Sequence, residues 1–212
     1  MRSVPILAVV LSLWASAPGR AEVIDRIMAV VDTQIITLSD TRAAVRFALV
    51  PADVSTDPLA ATLQRLIDRR LMIAEVDRYA PPEPPPAQID AAVAAIERRF
   101  QDALAMEIVL NQTAMSREEL RRFVRDTLRI DAYLQQRFAS VVQASDDDIV
   151  RYYREHSAEF TVDGRLRPLD DVREAARAGA AREQRGAVVQ QWLEGLRRRG
   201  SVQVLYLPQA IR

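Results

Sequence analysis

Val23-Ile24-Asp25-Arg26-Ile27-Met28-Ala29-Val30-Val31, Asp32-Thr33, Gln34-Ile35-Ile36-Thr37 and Leu38-Ser39-Asp40 follow one another without interruption near the start of the chain. The first run is β-branched and partly alternating. Asp32-Thr33 reads as a turn, and Gln34–Thr37 as a second short strand. Together they predict a hairpin. The chain then turns helical, with Thr37 or Ser39 placed to accept from the free N–H groups and Asp40 suited to the positive helix end. A lone two-stranded hairpin is marginal in water. At the other end, Ser201-Val202-Gln203-Val204-Leu205-Tyr206-Leu207 reads as a closing strand. Pairing it with the first strand would satisfy backbone groups at both ends. Whether that pairing lies within one chain or between two is open at this level. The expected class is mainly α: a multi-helix unit with a small β-sheet formed by N-terminal and C-terminal strands.

The intervening sequence has helical periodicity. The first helix is expected to run to about Leu49, before Pro51. A second should start at Asp57-Pro58, with proline at its first position. Leu59, Leu63, Leu66, Ile67, Leu71 and Ala74 recur at three- and four-residue steps along one face. Pro81-Pro82-Glu83-Pro84-Pro85-Pro86 is a stiff extended connector. Gln88 to about Val109 reads as one helix. Ser116-Arg117-Glu118-Glu119 is a capping box flanked by a Met115/Leu120 staple. It opens a helix through Leu120, Phe123, Val124, Leu128, Ile130, Tyr133, Leu134 and Phe138. Ser145 and Asp146-Asp147-Asp148 start a shorter helix, whose acids suit its N-terminal dipole. Asp163-Gly164 marks a turn. A last helix spans about Asp170 to Arg199, although Gly179 and Gly186 weaken it. Gly200 is placed to end it.

Before all this comes Met1-Arg2 and the apolar run Val4–Ala15. That run is shorter than the roughly 20 residues a membrane span needs. Its basic start and apolar core fit a cleaved signal peptide. Cleavage after Ala17 would place Pro18 next, so cleavage after Ala21 is favoured. Export from the cytoplasm, without a stable transmembrane anchor, is the expectation.

The 29 basic residues, every one an arginine, balance 29 acids, and there is no cysteine. Balanced charge gives no polybasic argument for nucleic acid. Thiol catalysis and thiolate metal sites are excluded. His156 is the single histidine and has no convergent partners in sequence. The aspartate run lacks the spaced oxygen ligands and turn glycine of a calcium loop. The serines read as helix starts, and no glycine-rich phosphate loop occurs. No catalytic residue, metal ligand or cofactor is therefore assigned. What remains is apolar surface. Phe47, Met106, Met115, Phe123 and Tyr133 are candidates for a peptide-binding groove. Methionine-rich surfaces adapt to varied partners, although periodicity does not separate a groove stripe from a core stripe.

The opening Val23–Asp32 and Ile35–Asp40 segments resemble the start of the SurA-type periplasmic chaperones. Leu63–Glu75 resembles that family's second helix. Ser145–Tyr153 resembles its segment leading into a prolyl-isomerase domain. The Asp32-Thr33-Gln34 turn departs from the family's asparagine-containing turn. Residues 161–168 leave no room for a parvulin domain between that segment and the final helix. The resemblance implies a signal peptide at 1–21 and a SurA-like N-terminal chaperone region at 22–160. It then implies a short loop at 161–168 in place of the parvulin domain, and a completing helix and strand at 169–212. The implied role is non-enzymatic. It is a periplasmic chaperone for unfolded or extended polypeptides, outer-membrane protein precursors among them. An envelope assembly adaptor with one dedicated partner is the alternative.

Overall fold

The structure, a computed structural model, describes residues 25–51, 56–138 and 144–206. Val23, Ile24, Leu207 and the expected signal segment 1–21 lie outside the described residues. The hairpin forms from β1 (Ile27–Val31) and β2 (Gln34–Thr37), with Val30 opposite Ile35 and Val31 opposite Gln34. Asp32 turns the corner at a left-handed φ of 53°.

The closing strand β5 (Val202–Val204) pairs antiparallel with β1 in the same chain, with Ala29 opposite Val204, so the sheet order is β2-β1-β5. Asp32 fastens this closure twice. Its N–H donates to the Ser201 carbonyl at 2.7 Å, and its side chain accepts from the Ser201 N–H at 2.9 Å.

Helix α1 (Leu38–Arg46) starts on Thr37. The Thr37 hydroxyl accepts from the Asp40 N–H while the Asp40 carboxylate accepts from the Thr37 N–H. It ends before the expected Leu49. Ala48 adopts a φ of 47°, and the Leu49 N–H turns back to the Ala44 carbonyl at 2.9 Å. That is the Schellman pattern that stops a helix by satisfying its last carbonyls.

Helix α2 (Pro58–Tyr79) has Asp57 as its cap and Pro58 in its first turn, as expected. Leu63, Leu66, Ile67 and Leu71 are buried. Ala74 is exposed instead, and the neighbouring Glu75 is buried, with Arg78 donating to it at 3.1 Å.

The helix expected over Gln88–Val109 is two helices, α3 (Pro86–Glu97) and α4 (Ala103–Gln112). Between them Arg99 and Phe100 close tight turns onto Ile96 and Glu97. The Asp102 side chain then accepts from the Ala105 N–H at 2.7 Å and restarts the helix. The break brings the Phe100 ring to 5.4 Å from that of Phe47. It also lets Arg99 donate to the Phe47 and Ala48 carbonyls.

Helix α5 (Arg117–Phe138) carries the predicted capping box: the Ser116 N–H donates to Glu119 at 2.7 Å, and the Glu119 N–H to the Ser116 hydroxyl at 3.2 Å. These bonds hold the Glu119 carboxyl below the usual glutamate range. The stabilisation from this box is complete above the unfolded-chain value of about 4.3 and is lost as pH falls through the lower folded value. Glu119→Gln should therefore flatten part of the stability loss between about pH 5 and pH 3, read by denaturant midpoints at each pH. An unchanged pH slope would count against the box.

Helix α6 (Asp146–Glu155) begins on a second capping box, Ser145 with Asp148. A short 3₁₀ turn leads to β3 (Thr161–Val162) and β4 (Arg165–Leu166), so the expected loop is a small hairpin. Helix α7 (Leu169–Arg199) then runs unbroken through both glycines.

The cores follow from this order. Met28, Val31 and Ile36 of the sheet pack with Leu63, Ile67 and Leu71 of α2 and Leu193 and Leu196 of α7. A second core gathers Phe47, Ile89, Ile96, Met106, Leu110, Leu120 and Val124. A third, separate cluster joins Ile149, Tyr152 and Phe160 to Val172, Ala176 and Ala180 of α7. Thus α7 anchors the α6 hairpin with its first half and the sheet core with its second. Among the described residues no helix is long and apolar enough to cross a membrane.

Candidate functional site

Three segments far apart in sequence enclose a cavity of about 370 Å³. The end of β2 and start of α1 form one wall, through Ile36, Thr37, Asp40 and Ala43. Helix α2 contributes Leu66, Arg69, Arg70 and Ile73. The α4–α5 junction supplies Thr113, Ala114 and Met115, and the first turns of α5 supply Glu119, Arg122, Phe123 and Asp126. Buried apolar Ile36, Ala43 and Leu66 share the lining with charged Arg69, Arg70, Arg122, Glu119 and Asp126, so the cavity offers apolar contact and polar anchoring in about equal measure.

The junction is shaped by a second Schellman turn. Ala114 adopts a φ of 50°, and the Met115 N–H donates to the Leu110 carbonyl at 3.1 Å. This turn ends α4, and Ser116 caps α5 directly after it. Met115 is thereby left at the cavity wall while Leu120 descends into the second core.

Arg69 organises the opposite side. Its guanidinium lies over the Phe123 ring, 3.7 Å from the centroid, and donates to the Phe123 carbonyl at 2.7 Å. Burial pushes its pKa down to about 10, so it remains a cation at neutral pH, with Asp126 opposing the shift.

No family model matches the chain. Two curated relatives are both described as putative peptidyl-prolyl cis-trans isomerase NifM. The one from Azotobacter vinelandii is 28% identical over 121 residues, and the one from Azotobacter chroococcum mcd 1 is 27% identical over 124. The aligned stretches cover 55% and 57% of this chain but 41% and 42% of the relatives, so the chain spans about two fifths of their length. A solved structure is similar over 86% of this chain and 100% of its own, with a TM-score of 0.51 at 14% identity. It comes from work on the virulence factor PEB4 and the periplasmic protein Cj1289, described as two structurally related SurA-like chaperones of Campylobacter jejuni.

The fold is SurA-like.

Within this SurA-like fold the five sequence-derived groove candidates separate. Met115 and Phe123 are half-buried and line the cavity together. Phe47 and Met106, 1% and 2% exposed, lie in the second core behind it. Tyr133, 5% exposed, belongs to a different cluster with Val76 and Ile130, and its ring sits 5.9 Å from that of Trp192. The structure therefore brings two of the five together at one accessible site. Sequence reasoning missed the arginines. Arg69 and Arg70 look like the solvent face of α2, and only the position of α5 turns them into cavity walls.

His156 caps α6. Its Nδ1 lies 3.1 Å from the Tyr152 carbonyl, and its ring stacks on Tyr152 at 4.0 Å. Among the described residues no group of three or more His, Asp or Glu side chains is disposed to hold a metal ion.

Proposed function

We propose that this chain is a chaperone that binds unfolded or extended polypeptide segments reversibly in the cavity between β2, α2 and α5. The observation that carries the reading is a cavity lined by apolar and charged side chains together, set in a SurA-like fold. Client side chains would bury against Met115, Phe123, Leu66 and Ile73. At roughly 25 cal/mol per Å² of apolar area, a few side chains give modest affinity, which suits clients that must leave again.

In this reading residues 22–160 and 169–212 act as one chaperone module, and the hairpin around Asp163-Gly164 stands where SurA-type proteins carry a parvulin domain. Binding proceeds without covalent chemistry or cofactor. The Met1–Ala21 segment directs export, cleavage follows Ala21, and the site of action is the periplasm. Outer-membrane protein precursors are the proposed clients. Peptide contacts involve Met115 and Phe123, with Phe47 and Met106 packed in the core behind them and Tyr133 in a separate cluster.

The test is suppression of aggregation. The chain at stoichiometric amounts, without nucleotide, is expected to slow light scattering by an unfolded outer-membrane protein. No suppression and no measurable peptide binding would overturn the reading. Similarity to the two NifM relatives, described as peptidyl-prolyl isomerases, favours a second reading, prolyl isomerisation. A proline-peptide isomerisation assay separates the two, and the chaperone reading expects the background rate.

A further inference from the structure

Three arginines converge on the cavity, and none of them forms a salt bridge among the described residues. Arg69 gives one hydrogen bond, to a backbone carbonyl, and Arg70 gives one to Gln34 at 3.2 Å. Arg122, on the exposed face of the first turns of α5, donates no hydrogen bond to any described residue.

The carboxylates of the same rim are engaged elsewhere. Asp40 closes the α1 capping box and Glu119 closes that of α5. Asp25 accepts from the Ser39 N–H at 3.2 Å. Asp126 accepts two bonds from Arg125, at 3.0 and 2.7 Å. The N-termini of α1 and α5 also open on this cavity, and helix N-termini favour negative charge. Arg69 is the sharpest case. A guanidinium has five N–H donors. This one is half-buried, lies over the Phe123 ring, and uses a single donor on the protein. Asp126 and Asp131 lie close enough to favour its charge, but neither bonds it, and a carboxylate meets a guanidinium fork with two parallel bonds.

The geometry points to a carboxylate-reading site: the cavity binds an extended apolar peptide through a carboxylate held by Arg69 and Arg122, with the flanking side chains on Met115 and Phe123. This rests on the peptide-binding reading above and adds the chemistry that selects among peptides. The carboxylate comes either from an Asp or Glu side chain or from the peptide's own C-terminus.

Three fluorescent peptides of one apolar sequence distinguish the sources when titrated against the full chain. The first has a central Glu and an amidated end, the second Gln and an amidated end, and the third Gln and a free end. One or both carboxylate peptides should bind on the order of tenfold tighter than the neutral one. A gain confined to the first peptide assigns the side chain, and a gain confined to the third assigns the chain end. Arg69→Gln should erase the difference in affinity between the carboxylate and neutral peptides. Because Arg69 is half-buried, the exposed Arg122→Gln is the companion variant that reads the same effect without touching the core. Equal binding of all three peptides to the unaltered chain would overturn the carboxylate site and leave peptide binding standing. No binding of any of them would overturn both.

Discussion

Gly179→Ala is expected to destabilise the chain, whereas Gly186→Ala, seven residues further along the same helix, is expected to stabilise it. In a helix interior alanine is favoured over glycine by about 1 kcal/mol, so both changes start with the same local gain. At Gly186 a Cβ would meet nothing nearby, and the gain should stand. At Gly179 a Cβ would run into the ring of Tyr152. That ring cannot easily give way. It stacks on His156, meets Phe160 edge-on, and its hydroxyl donates to Glu159 at 3.0 Å. Overpacking of this kind costs about 1–3 kcal/mol or more, which outweighs the propensity gain.

The damage should be local. Helix α6 packs on α7 and the adjoining 3₁₀ turn, and the cluster around Ile149 and Tyr152 is separate from the sheet core. Amide hydrogen exchange should therefore rise in α6 and the β3–β4 hairpin while β1 and α2 stay protected. Equal stabilisation by the two alanine variants would mean that α6 does not dock on α7 as described.

The contrast between the two glycines also marks what was readable in the sequence. Features fixed by neighbours within a few residues were legible: the hairpin, Pro58 at the head of α2, and the boxes at Ser116 and Ser145. Each rests on a side chain satisfying backbone groups close by, and that chemistry survives any tertiary context. The break between α3 and α4 was not legible, because Arg98-Arg99-Phe100 contains neither glycine nor proline. The turn is held instead by Phe100 packing on Phe47 and by Arg99 reaching the Phe47 carbonyl. Alanines occupy the left-handed positions that end α1 and α4, where glycine is the usual signal. The terminal strand was legible, but its partner was settled only by the register of β5 on β1. The cavity was the least visible feature. Its walls come from around residues 36–43, 66–73 and 113–126, and no local period links them. Apolar type and helical spacing alone grouped Phe47 with Phe123, although one fills a core and the other faces a cleft.

That last pair carries the second large effect. Phe47→Ala is expected to cost about 3–5 kcal/mol, the range for deleting a fully buried aromatic ring. Phe47 is 1% exposed, contacts the Phe100 ring, and sits where α1 meets the α3–α4 turn, so the void has no side open to water. The variant should lose much of its denaturant resistance, and any loss of peptide binding should track the unfolded fraction. Phe123→Ala removes a half-buried ring and the platform under Arg69. Partial burial and a cation–π contact are together worth about 1–2 kcal/mol, so this variant should stay folded. Its peptide affinity should nevertheless fall by on the order of tenfold, because the ring is both an apolar contact and the brace that aims the guanidinium. Denaturant midpoints and peptide titrations on the same two proteins separate the roles. A folded Phe123→Ala variant with undiminished peptide affinity would place the binding site elsewhere. A Phe47→Ala variant with an unchanged midpoint would remove Phe47 from the core.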